Sequence, residues 1–499
     1  MNISKTTFQD YLFCPRNTWL KLHKPELLEK FELSEFEKHL VEQGNEVESY
    51  ARNLFPGGVE VIERDERGCE ETVRFMAAKT PTIFQATFII DGFIAPNDAL
   101  SWNAETNKWD LYEVKGTNDI NDKGSDHNHL DDLAFQASVL KRSNIPVGKY
   151  FLVHLNREYV RESDLDYKEL FKVEDKTTEI LERLSTIENQ METAKMYLAS
   201  EKEPRNDDCK CIYRGRSGHC TTFRESYPEV PTYSIHDLSR IGASKRKLEA
   251  LVERRIYEIE NVPEDIEFSD IQKNQIDAHR QGKAIIDIDG IREELEKLSF
   301  PLYFLDYETY APAIPTFNGY APYQRIPFQF SLHILYEPDG ELSHIEYLHT
   351  EASDPSSQVA KILGDVIGEQ GTVIAWNKSF EAGVNREIGE RLPQYKVAME
   401  RINAMLYDLM DVFKKQYYVH PNFKGSTSIK KVQPTLFPEL SYKDLEIHEG
   451  GQASNAWWQM ISPATSTEES DQIARNLKEY CGRDTYAMVV VWQELKKLI

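Results

Sequence analysis

One short strand constrains the possible folds of this chain more than any other stretch. Residues 111–114 alternate in side-chain character and include an aromatic and a β-branched residue, which predicts a β-strand. Because side chains alternate across a strand, Glu113 and Lys115 share one face. A carboxylate beside an ammonium suits metal-assisted phosphodiester hydrolysis, in which the carboxylate holds a divalent cation and the lysine acts on the attacking water.

The second ligand of such a site has to come from a neighbouring strand. Asp98, just beyond the apolar residues 93–95, is predicted to supply it, with Asp91 as the alternative ligand. By itself, a glutamate two residues before a lysine is more often an exposed ion pair. The rest of the chain decides between these two interpretations.

The composition is that of a large globular protein. Its 499 residues exceed what one core organises, so we expect two or three domains. No apolar run has membrane-spanning length and no signal-peptide segment is evident, so we expect a cytoplasmic protein without a membrane partner. A net charge of −24 argues against nucleic-acid coating of the whole surface, but it does not exclude a nucleic-acid enzyme with local basic residues.

Hydrophobic periodicity and turn residues predict an α/β fold for the first part of the chain. Helices are predicted from Ser4 onward (with Pro15 ending or restarting the first one) and over 35–55, 129–142 and 173–199. Strands are predicted over 59–62, 82–90, 93–100 and 150–155, besides the strand of Glu113.

Three of the six cysteines lie close together in the sequence. Cys209, Cys211 and Cys220 fall within twelve positions of a polar, glycine-containing loop, which is typical of a soft-metal site. A closed site needs a fourth thiolate, and Cys14 is the best candidate. Cys69 and Cys481 are expected to stand alone, and the alternative for the trio is a set of free thiols.

The order of these features matches a known pattern. It runs from Cys14-Pro15-Arg16 through Asp98, Glu113 and Lys115 to a helix bearing Gln136, and then to the three-cysteine loop. Over roughly residues 1–225 this order resembles the RecB-like PD-(D/E)XK nucleases that carry an iron–sulfur cluster. The resemblance implies a restriction-endonuclease-like domain in which Asp98 and Glu113 bind Mg²⁺ or Mn²⁺, Lys115 is catalytic and Gln136 supports it. It also implies a [4Fe–4S] cluster on Cys14, Cys209, Cys211 and Cys220 that ties the two ends of the domain together.

This chain departs from the family pattern at three positions. Glu48 stands where the family often has a metal-binding histidine, so it is the expected replacement ligand. Leu140 stands where the glutamine helix usually has a tyrosine four residues after Gln136. Only one residue separates Cys209 from Cys211, which leaves Zn²⁺ as the alternative to iron–sulfur.

A second chemical centre begins near residue 303. The strand over 303–309 places Asp306 and Glu308 on one face, Glu381 opens a helix after the strand at 372–377, and a spacing of four puts Tyr480 and Asp484 on one helix face. Each piece alone is more often ordinary surface. Together, four acidic groups and a tyrosine suit a two-metal site, with the cations about 4 Å apart and the tyrosine positioning the water.

This second set resembles the DEDDy 3′→5′ exonucleases of the RNase H-like fold, over roughly residues 296–499. Glu381 occupies a position where that family normally has aspartate, and Asp408 could supply or supplement this ligand. Ser428 and Lys430 are weaker candidates for phosphate contacts. The combination of both halves resembles an uncharacterised bacterial family of fused RecB-like and exonuclease-like domains.

The sequence thus predicts an α/β protein with three parts. They are a PD-(D/E)XK nuclease domain over 1–225, a helical connector over 226–295 with a faint helix-hairpin-helix pattern at 238–242, and an exonuclease-like domain over 296–499. The expected function is metal-dependent cleavage of nucleic acid, by resemblance DNA, in repair, recombination or defence. The alternative is a non-catalytic scaffold that binds nucleic acid or a partner. A redox sensor built on the cluster would leave both carboxylate sites without a role.

Overall fold

The computed structural model describes residues 2–30, 35–122, 128–440, 442 and 444–499, and it confirms the mixed α/β class. Contacts divide the chain into two compact units. Unit 1 comprises Met1–Ile212, His219–Pro228 and Pro312–Tyr323, and unit 2 comprises Tyr213–Gly218, Glu229–Ala311 and Gln324–Ile499. No helix in these described ranges is long and apolar enough to cross a bilayer.

Unit 1 is built on a six-stranded sheet whose strands lie in the order of the chain. The strands are β1 (Val59–Glu60), β2 (Thr82–Ile90), β3 (Phe93–Asn103), β4 (Lys108–Lys115), β5 (Val147–Leu155) and β6 (Phe171–Asp175). Strands β2, β3 and β4 form an antiparallel meander, and β5 returns parallel to β4. The return needs a crossover, because parallel neighbours cannot be joined by a tight turn.

Eight α-helices of the described chain surround this sheet. They are α1 (Lys5–Phe13), α2 (Pro15–His23), α3 (Glu35–Ala51), α4 (Glu66–Ala77), α5 (His129–Arg142), α6 (Tyr167–Leu170), α7 (Thr177–Leu198) and α8 (Phe223–Ser226). Helix α5 is the crossover between β4 and β5, and it is buried along most of its length between the sheet and α7. Phe135 of α5 stacks on Phe8 of α1 at 5.2 Å between ring centroids, which joins α1 to the same core.

Two predicted helices of unit 1 are wrong at their ends. The helix expected over 173–199 begins at Thr177, because residues 171–175 pair with β5 as the edge strand β6. Asp175 then ends the strand by accepting the backbone N–H of Thr177 at 3.0 Å. Helix α3, which was expected over 35–55, ends at Ala51.

Unit 2 contains a five-stranded sheet of order β10-β9-β8-β11-β12 and a separate pair, β7 with β13. The strands are β7 (Ile285–Ile286), β8 (Leu302–Tyr310), β9 (Ile326–Leu335), β10 (Leu342–Leu348), β11 (Thr372–Ala375), β12 (Leu406–Asp408) and β13 (Tyr418–Val419). Strands β8, β9 and β10 are antiparallel, whereas β11 is parallel to both β8 and β12.

The α-helices described in unit 2 are α9 (Lys245–Glu253), α10 (Asp270–Gln281), α11 (Ile288–Leu295), α12 (Ser356–Val366), α13 (Ser379–Arg391), α14 (Lys396–Ala404), α15 (Asp411–Lys414), α16 (Ile429–Leu436), α17 (Gly450–Met460) and α18 (Thr467–Lys496). The segment expected to be a helical connector contains α9, α10 and α11. From Glu229 onward it folds as part of unit 2.

The alternation of β8 sorts its side chains between the two faces of the unit 2 sheet. Leu302 and Phe304 pack in the core beneath α18, whereas Tyr303, Leu305 and Tyr307 pack in the core beneath α12 and α13. A strand in the middle of a sheet covered on both faces is apolar on both sides. Asp306 and Glu308 continue the face of Leu302 and Phe304, so period two directs them toward α18.

Candidate functional sites

The first cluster, which we call the N-terminal carboxylate site, consists of Asp98, Glu113, Lys115 and Gln136 together with their direct partners. Strands β3 and β4 pair Ala99 with Tyr112, which places Asp98 beside Glu113 at the next step of the ladder. The Asp98 carboxylate accepts the backbone N–H of Val114 at 2.8 Å. The sheet register therefore brings together the two carboxylates that the sequence proposed as metal ligands.

Glu113 is fully buried and holds three hydrogen-bond donors. Lys115 Nζ donates to Oε1 at 2.9 Å, Lys5 Nζ donates to the same oxygen, and the amide of Gln136 donates to Oε2. Burial acts to raise the pKa of Glu113, but the two ammonium groups outweigh it and hold that pKa well below its usual range. The carboxylate is therefore ionised at neutral pH.

Two partners of this site were not foreseen from the sequence. Asp132 of α5 forms an ion pair with Lys115. It lies four residues before Gln136, on the same helix face. Lys5 is the first residue of α1, and its only local signal is the preceding Ser4, whose hydroxyl caps the helix by accepting the N–H of Thr7 at 3.1 Å. The spacing of Asp132 and Gln136 could have indicated Asp132, whereas the Ser4 cap indicates only where α1 begins and not that Lys5 reaches Glu113.

Electrostatics couple Asp98 to its surroundings. Burial and the neighbouring charge of Glu113 raise the pKa of Asp98 to about 8. Burial would lower the pKa of Lys5, but the charges of Glu113, Asp98 and Asp132 raise it above its usual range. The site thus places the Asp98 carboxyl, whose pKa is raised, beside the Glu113 carboxylate, whose pKa is lowered.

The expected replacement ligand Glu48 lies on α3 near this site. Its charge contributes to the raised pKa of Asp98. Glu48 Oε1 accepts the amide of Gln85 at 2.6 Å and the guanidinium of Arg52 at 3.0 Å. Asp91, the alternative to Asp98, lies in the turn between β2 and β3 and pairs with Arg142 at 3.7 Å.

The four cysteines of the proposed metal loop form a buried group in unit 1. The sulfurs of Cys14, Cys209, Cys211 and Cys220 all lie within 4.8 Å of one another, and those of Cys209 and Cys220 are 3.6 Å apart. Hydrogen bonds from neighbouring thiols, with that from Cys14 as the largest contribution, hold the pKa of Cys209 well below its usual range. Such a set of sulfurs can bind a metal.

Polar contacts fix the chain around the cysteine group. Asn17 Oδ1 accepts the backbone N–H of Thr222 at 3.1 Å and the hydroxyls of Thr221 and Thr222 at 3.0 and 2.9 Å. Arg16 donates to the hydroxyl of Ser226 at 2.9 Å. The start of α2 is therefore tied to the three-cysteine loop, about two hundred residues away in sequence.

The second cluster, which we call the C-terminal carboxylate site, lies between β8 and α18. It contains Asp306, Glu308, Glu381, Asp484 and Tyr480. Burial is the main reason that the pKa values of Asp306 and Glu308 lie well above the usual range, and the charges of Asp484 and Glu381 raise them further. Burial also raises the pKa of Asp484. All three segments proposed from the sequence are thus close enough to influence one another.

Glu381 lies near enough to this cluster for its charge to raise the pKa values of Asp306 and Glu308. Its side chain is almost fully buried, and Oε2 has no hydrogen-bond partner within the described part of the chain. Burial and the charge of Asp408 raise the pKa of Glu381 to about 8. Asp408 itself accepts the backbone N–H groups of Asn377 at 2.9 Å and Met410 at 3.2 Å, and it pairs with Lys414.

Lys430 and Tyr442 complete the polar contacts of the C-terminal carboxylate site. Lys430 Nζ donates to Tyr480 Oη at 3.0 Å, and Tyr442 Oη donates to Asp484 Oδ1 at 2.6 Å. The Lys430 charge opposes the rise in pKa of Asp306, Glu308 and Asp484. Ser428, the other weak candidate, stands at the N-cap of α16 without a side-chain cap bond.

Cys481 corrects a prediction made from the sequence. It was expected to stand alone, but its thiol and the carboxylates of Asp306 and Glu308 lie within 4.8 Å of one another. Cys481 follows Tyr480 and precedes Asp484 by three residues, so helical spacing carried the signal. Tyr323 is a further surprise: its hydroxyl donates to the Gly116 carbonyl, beside Lys115, from a segment that connects β8 and β9 yet folds with unit 1.

Comparisons with known proteins find relatives of no assigned function. Residues 303–428 match a family model described as a domain of unknown function (DUF2779). The uncharacterized protein UU173 of Ureaplasma parvum is 27% identical over 223 residues, which cover 41% of this chain and 32% of that protein. The uncharacterized protein MG366 homolog of Mycoplasma pneumoniae is 24% identical over 221 residues, 41% of this chain and 33% of its own length. The chain thus spans about a third of these relatives, and no solved structure matches it significantly.

Proposed function

We propose that this chain is a metal-dependent nuclease with one active site in each unit and DNA as its substrate class, acting in repair, recombination or defence. The observation that carries the proposal is the convergence, in both units, of carboxylates from separate segments around a strand that presents two functional side chains. Structural ion pairs rarely gather three or four carboxylates in one place, since like charges repel. A divalent cation offsets that repulsion.

The order of elements supports a PD-(D/E)XK fold for unit 1. Asp98 and Glu113 lie on adjacent antiparallel strands, and α5 then crosses over with Gln136 before the parallel strand β5. This is the succession that the resemblance requires. For unit 2, the RNase H-like proposal rests on Asp306 and Glu308 from a central strand meeting side chains of α13 and α18.

In unit 1 the residues divide the work of hydrolysis. Asp98 and Glu113, with Glu48 nearby, would hold Mg²⁺ or Mn²⁺, which polarises the phosphate and lowers the pKa of a bound water. Lys115 is held by Glu113 and Asp132, so its ammonium can orient the attacking water. Gln136 fixes the orientation of the Glu113 carboxylate through Oε2. Lys115 and Gln136 are thus both held in position by hydrogen bonds to the Glu113 carboxylate.

In unit 2 the charge of Lys430 acts on three of the four carboxylates, Asp306, Glu308 and Asp484. Asp306, Glu308, Glu381 and Asp484 would hold two cations, which would supply positive charge to stabilise the charge that develops on the phosphate during hydrolysis. Burial is the first cause of the raised carboxyl pKa values and the like charges of the neighbouring carboxylates add to it; bound cations would offset that repulsion. Tyr480 can position a water through its hydroxyl, and Lys430 beside it offers a charge to a phosphate.

We include the cysteine group as a metal centre of the same protein. The family resemblance implies [4Fe–4S]. The spacing of the sulfurs supports the alternative, Zn²⁺, because a tetrahedral ion with bonds of about 2.3 Å needs sulfur atoms about 3.8 Å apart. Cys209 and Cys220 are 3.6 Å apart. About four irons per chain, with broad visible absorbance, would identify the cluster, and one zinc in colourless, anaerobically prepared protein would identify the ion.

Cleavage of defined substrates tests the proposal. The purified full chain is incubated with Mg²⁺ or Mn²⁺ on end-labelled single- and double-stranded DNA and RNA, with a chelator in matched reactions. We expect cleavage of DNA that needs the metal. A protein that binds these nucleic acids but cleaves none of them with either metal is a scaffold, and the proposal then fails.

A further inference from the structure

Lys5 occupies the N-terminal carboxylate site in a way that the proposed chemistry does not use. Its Nζ and that of Lys115 donate to the same oxygen, Glu113 Oε1, while the Gln136 amide takes Oε2. A carboxylate oxygen offers about two lone pairs. Both lone pairs of Oε1 are therefore occupied by ammonium groups. A cation that binds Glu113 through this oxygen has to displace one of them.

The partners of the two lysines determine which one is displaced. Lys115 has a second carboxylate, Asp132, which holds it when Glu113 turns to a metal. Lys5 has no further ion pair within the described part of the chain. The side chain of Lys5 is also the more open of the two, 27% exposed against 13% for Lys115. Lys5 is therefore the ammonium that leaves.

The backbone keeps a displaced Lys5 beside the site. Ile3 bridges to β3, with its N–H donating to Gly92 at 2.9 Å and its carbonyl accepting from Ile94 at 3.0 Å. Phe8, one turn after Lys5, is fully buried against Phe135 of α5. The first turn of α1 is thus fixed to the sheet and to the helix that carries Gln136. Only the flexible stem of Lys5 can move, so its ammonium stays at the exposed edge of the site.

We propose that Lys5 is a substrate-binding residue of the N-terminal carboxylate site. It neutralises Glu113 before a metal binds, and it then binds a phosphate oxygen of the nucleic acid. A lysine ammonium is a compact charge with three donors and a common phosphate ligand. This role rests on the proposed function of unit 1, and it adds a residue that the sequence pattern did not indicate.

The test measures metal and nucleic-acid binding rather than activity. All proteins carry Asp306→Asn to weaken the other site, and Lys5→Met is compared with Lys21→Met. Lys21 is a matched control, because its side chain is also 27% exposed and it pairs with a carboxylate, Asp10, at 3.0 Å. Mn²⁺ affinity is measured by electron paramagnetic resonance. Binding of single-stranded DNA is measured with Ca²⁺ over a series of salt concentrations.

Lys5→Met should bind Mn²⁺ about tenfold more tightly, since the competing charged hydrogen bond is gone. Its DNA binding should weaken, and the slope of log affinity against log salt should become shallower by about 0.7, the value for one lost phosphate contact to a single strand. Lys21→Met should change neither quantity. Lys5→Gln serves as the second variant if Lys5→Met does not retain its circular dichroism spectrum.

Two results overturn the proposal while leaving the nuclease function in place. They are an unchanged Mn²⁺ affinity, or an unchanged salt slope, in a Lys5 variant whose Asp306→Asn parent cleaves DNA. If that parent neither binds Mn²⁺ nor cleaves, the function proposed for unit 1 fails and the role of Lys5 fails with it.

Discussion

Glu113 and Glu308 are both buried strand carboxylates, yet their surroundings shift their pKa values in opposite directions. Two ammonium groups overcome the effect of burial at Glu113 and lower its pKa. At Glu308, burial and the charges of Asp484 and Glu381 raise the pKa, and Lys430 opposes them only in part. Unit 1 thus offsets its buried carboxylate with its own lysines, whereas unit 2 leaves that task to protons or added cations.

This contrast has consequences for how the two sites take up metal. A cation entering the N-terminal carboxylate site competes with a lysine that is already in place. A cation entering the C-terminal carboxylate site replaces protons and relieves repulsion among four carboxylates. Metal binding should therefore be coupled to lysine displacement in unit 1, together with release of a proton from Asp98, and to proton release without lysine displacement in unit 2. The predictions below test this difference, beginning with the largest effect.

Removing one ligand of the cysteine group should abolish cleavage by unit 1 and leave cleavage by unit 2 intact. Cys220→Ser breaks the group that ties α2 to the three-cysteine loop, and metal binding of this kind is coupled to folding. We expect loss of the metal and of all cleavage by unit 1, with the exonuclease activity of unit 2 retained. Metal analysis and cleavage assays check this, with Cys69→Ser as the control. Full cleavage by unit 1 in a Cys220→Ser protein that has lost the cysteine-bound metal would contradict this prediction.

Lys115→Ala should remove chemistry from unit 1 without removing its metal. In the proposed mechanism the lysine acts on water and is not a ligand, so cleavage should fall by about 10²- to 10⁴-fold, the usual size of a general acid–base contribution. Mn²⁺ affinity should not weaken. The measurement uses an Asp306→Asn background, and Lys108→Ala at the exposed start of β4 is the control. A parallel loss of Mn²⁺ binding would show that Lys115 supports the ligands instead.

Tyr480→Phe should have a smaller effect on unit 2. The hydroxyl contacts Lys430, and in the proposed mechanism it orients water but holds no cation, so we expect cleavage from 3′ ends to slow by about tenfold without being abolished. Tyr486→Phe, on the same helix but at an exposed position, is the control. The release of labelled mononucleotides in a Glu113→Gln background measures both. Equal rates for the two variants would remove Tyr480 from the mechanism.

The smallest effect is on the pH dependence of stability in metal-free protein. The folded-state pKa of Glu381, about 8, is above its unfolded value, so the folded state keeps a proton that the unfolded state has lost. Stability should therefore fall as pH rises from about 5 to about 8. Glu381→Gln should make this fall smaller by a few degrees in the melting temperature.

Glu113→Gln is the comparison for that experiment. The pKa of Glu113 is lowered, so its contribution to stability is present above its unfolded pKa and is lost only as pH falls below about 4.5. Melting curves in chelator at pH 5.5 and 8.5 should therefore show a smaller reduction of the slope in Glu113→Gln than in Glu381→Gln, because Glu113 acts in this range only through its charge on Asp98, whose pKa is raised first by burial. If both variants flatten the pH dependence equally, the two sites do not differ in the way we describe.

The sequence predicted the parts of each site that short-range patterns control. Strand alternation placed Glu113 beside Lys115 and Asp306 beside Glu308, and the predicted bounds of β2 and α5 match the structure. Helical spacing likewise predicted that Tyr480 and Asp484 share a face. These relations depend on residues two to four positions apart, where backbone geometry alone decides which side chains meet.

Partners that arrive from distant segments could not be predicted in this way. Lys5 reaches Glu113 only because α1 is fixed to the sheet by Ile3 and to α5 by Phe8, and neither contact has a local signal. Tyr323 comes to Gly116 from more than two hundred positions away. The charged residues of β6 have a helical pattern, so the sequence predicted them as the start of α7. Pairing with β5 makes them a strand instead.

One comparison of four proteins tests the central claim most directly, namely that the chain holds two separate metal-dependent active sites. Wild type, Glu113→Gln, Asp306→Asn and the double variant are assayed with Mn²⁺ on 3′-end-labelled DNA, with Asp339→Asn as a control at a fully exposed aspartate. We predict that each single variant loses a different part of the wild-type products and that the double variant is inactive. A double variant that cleaves as wild type does would contradict the account.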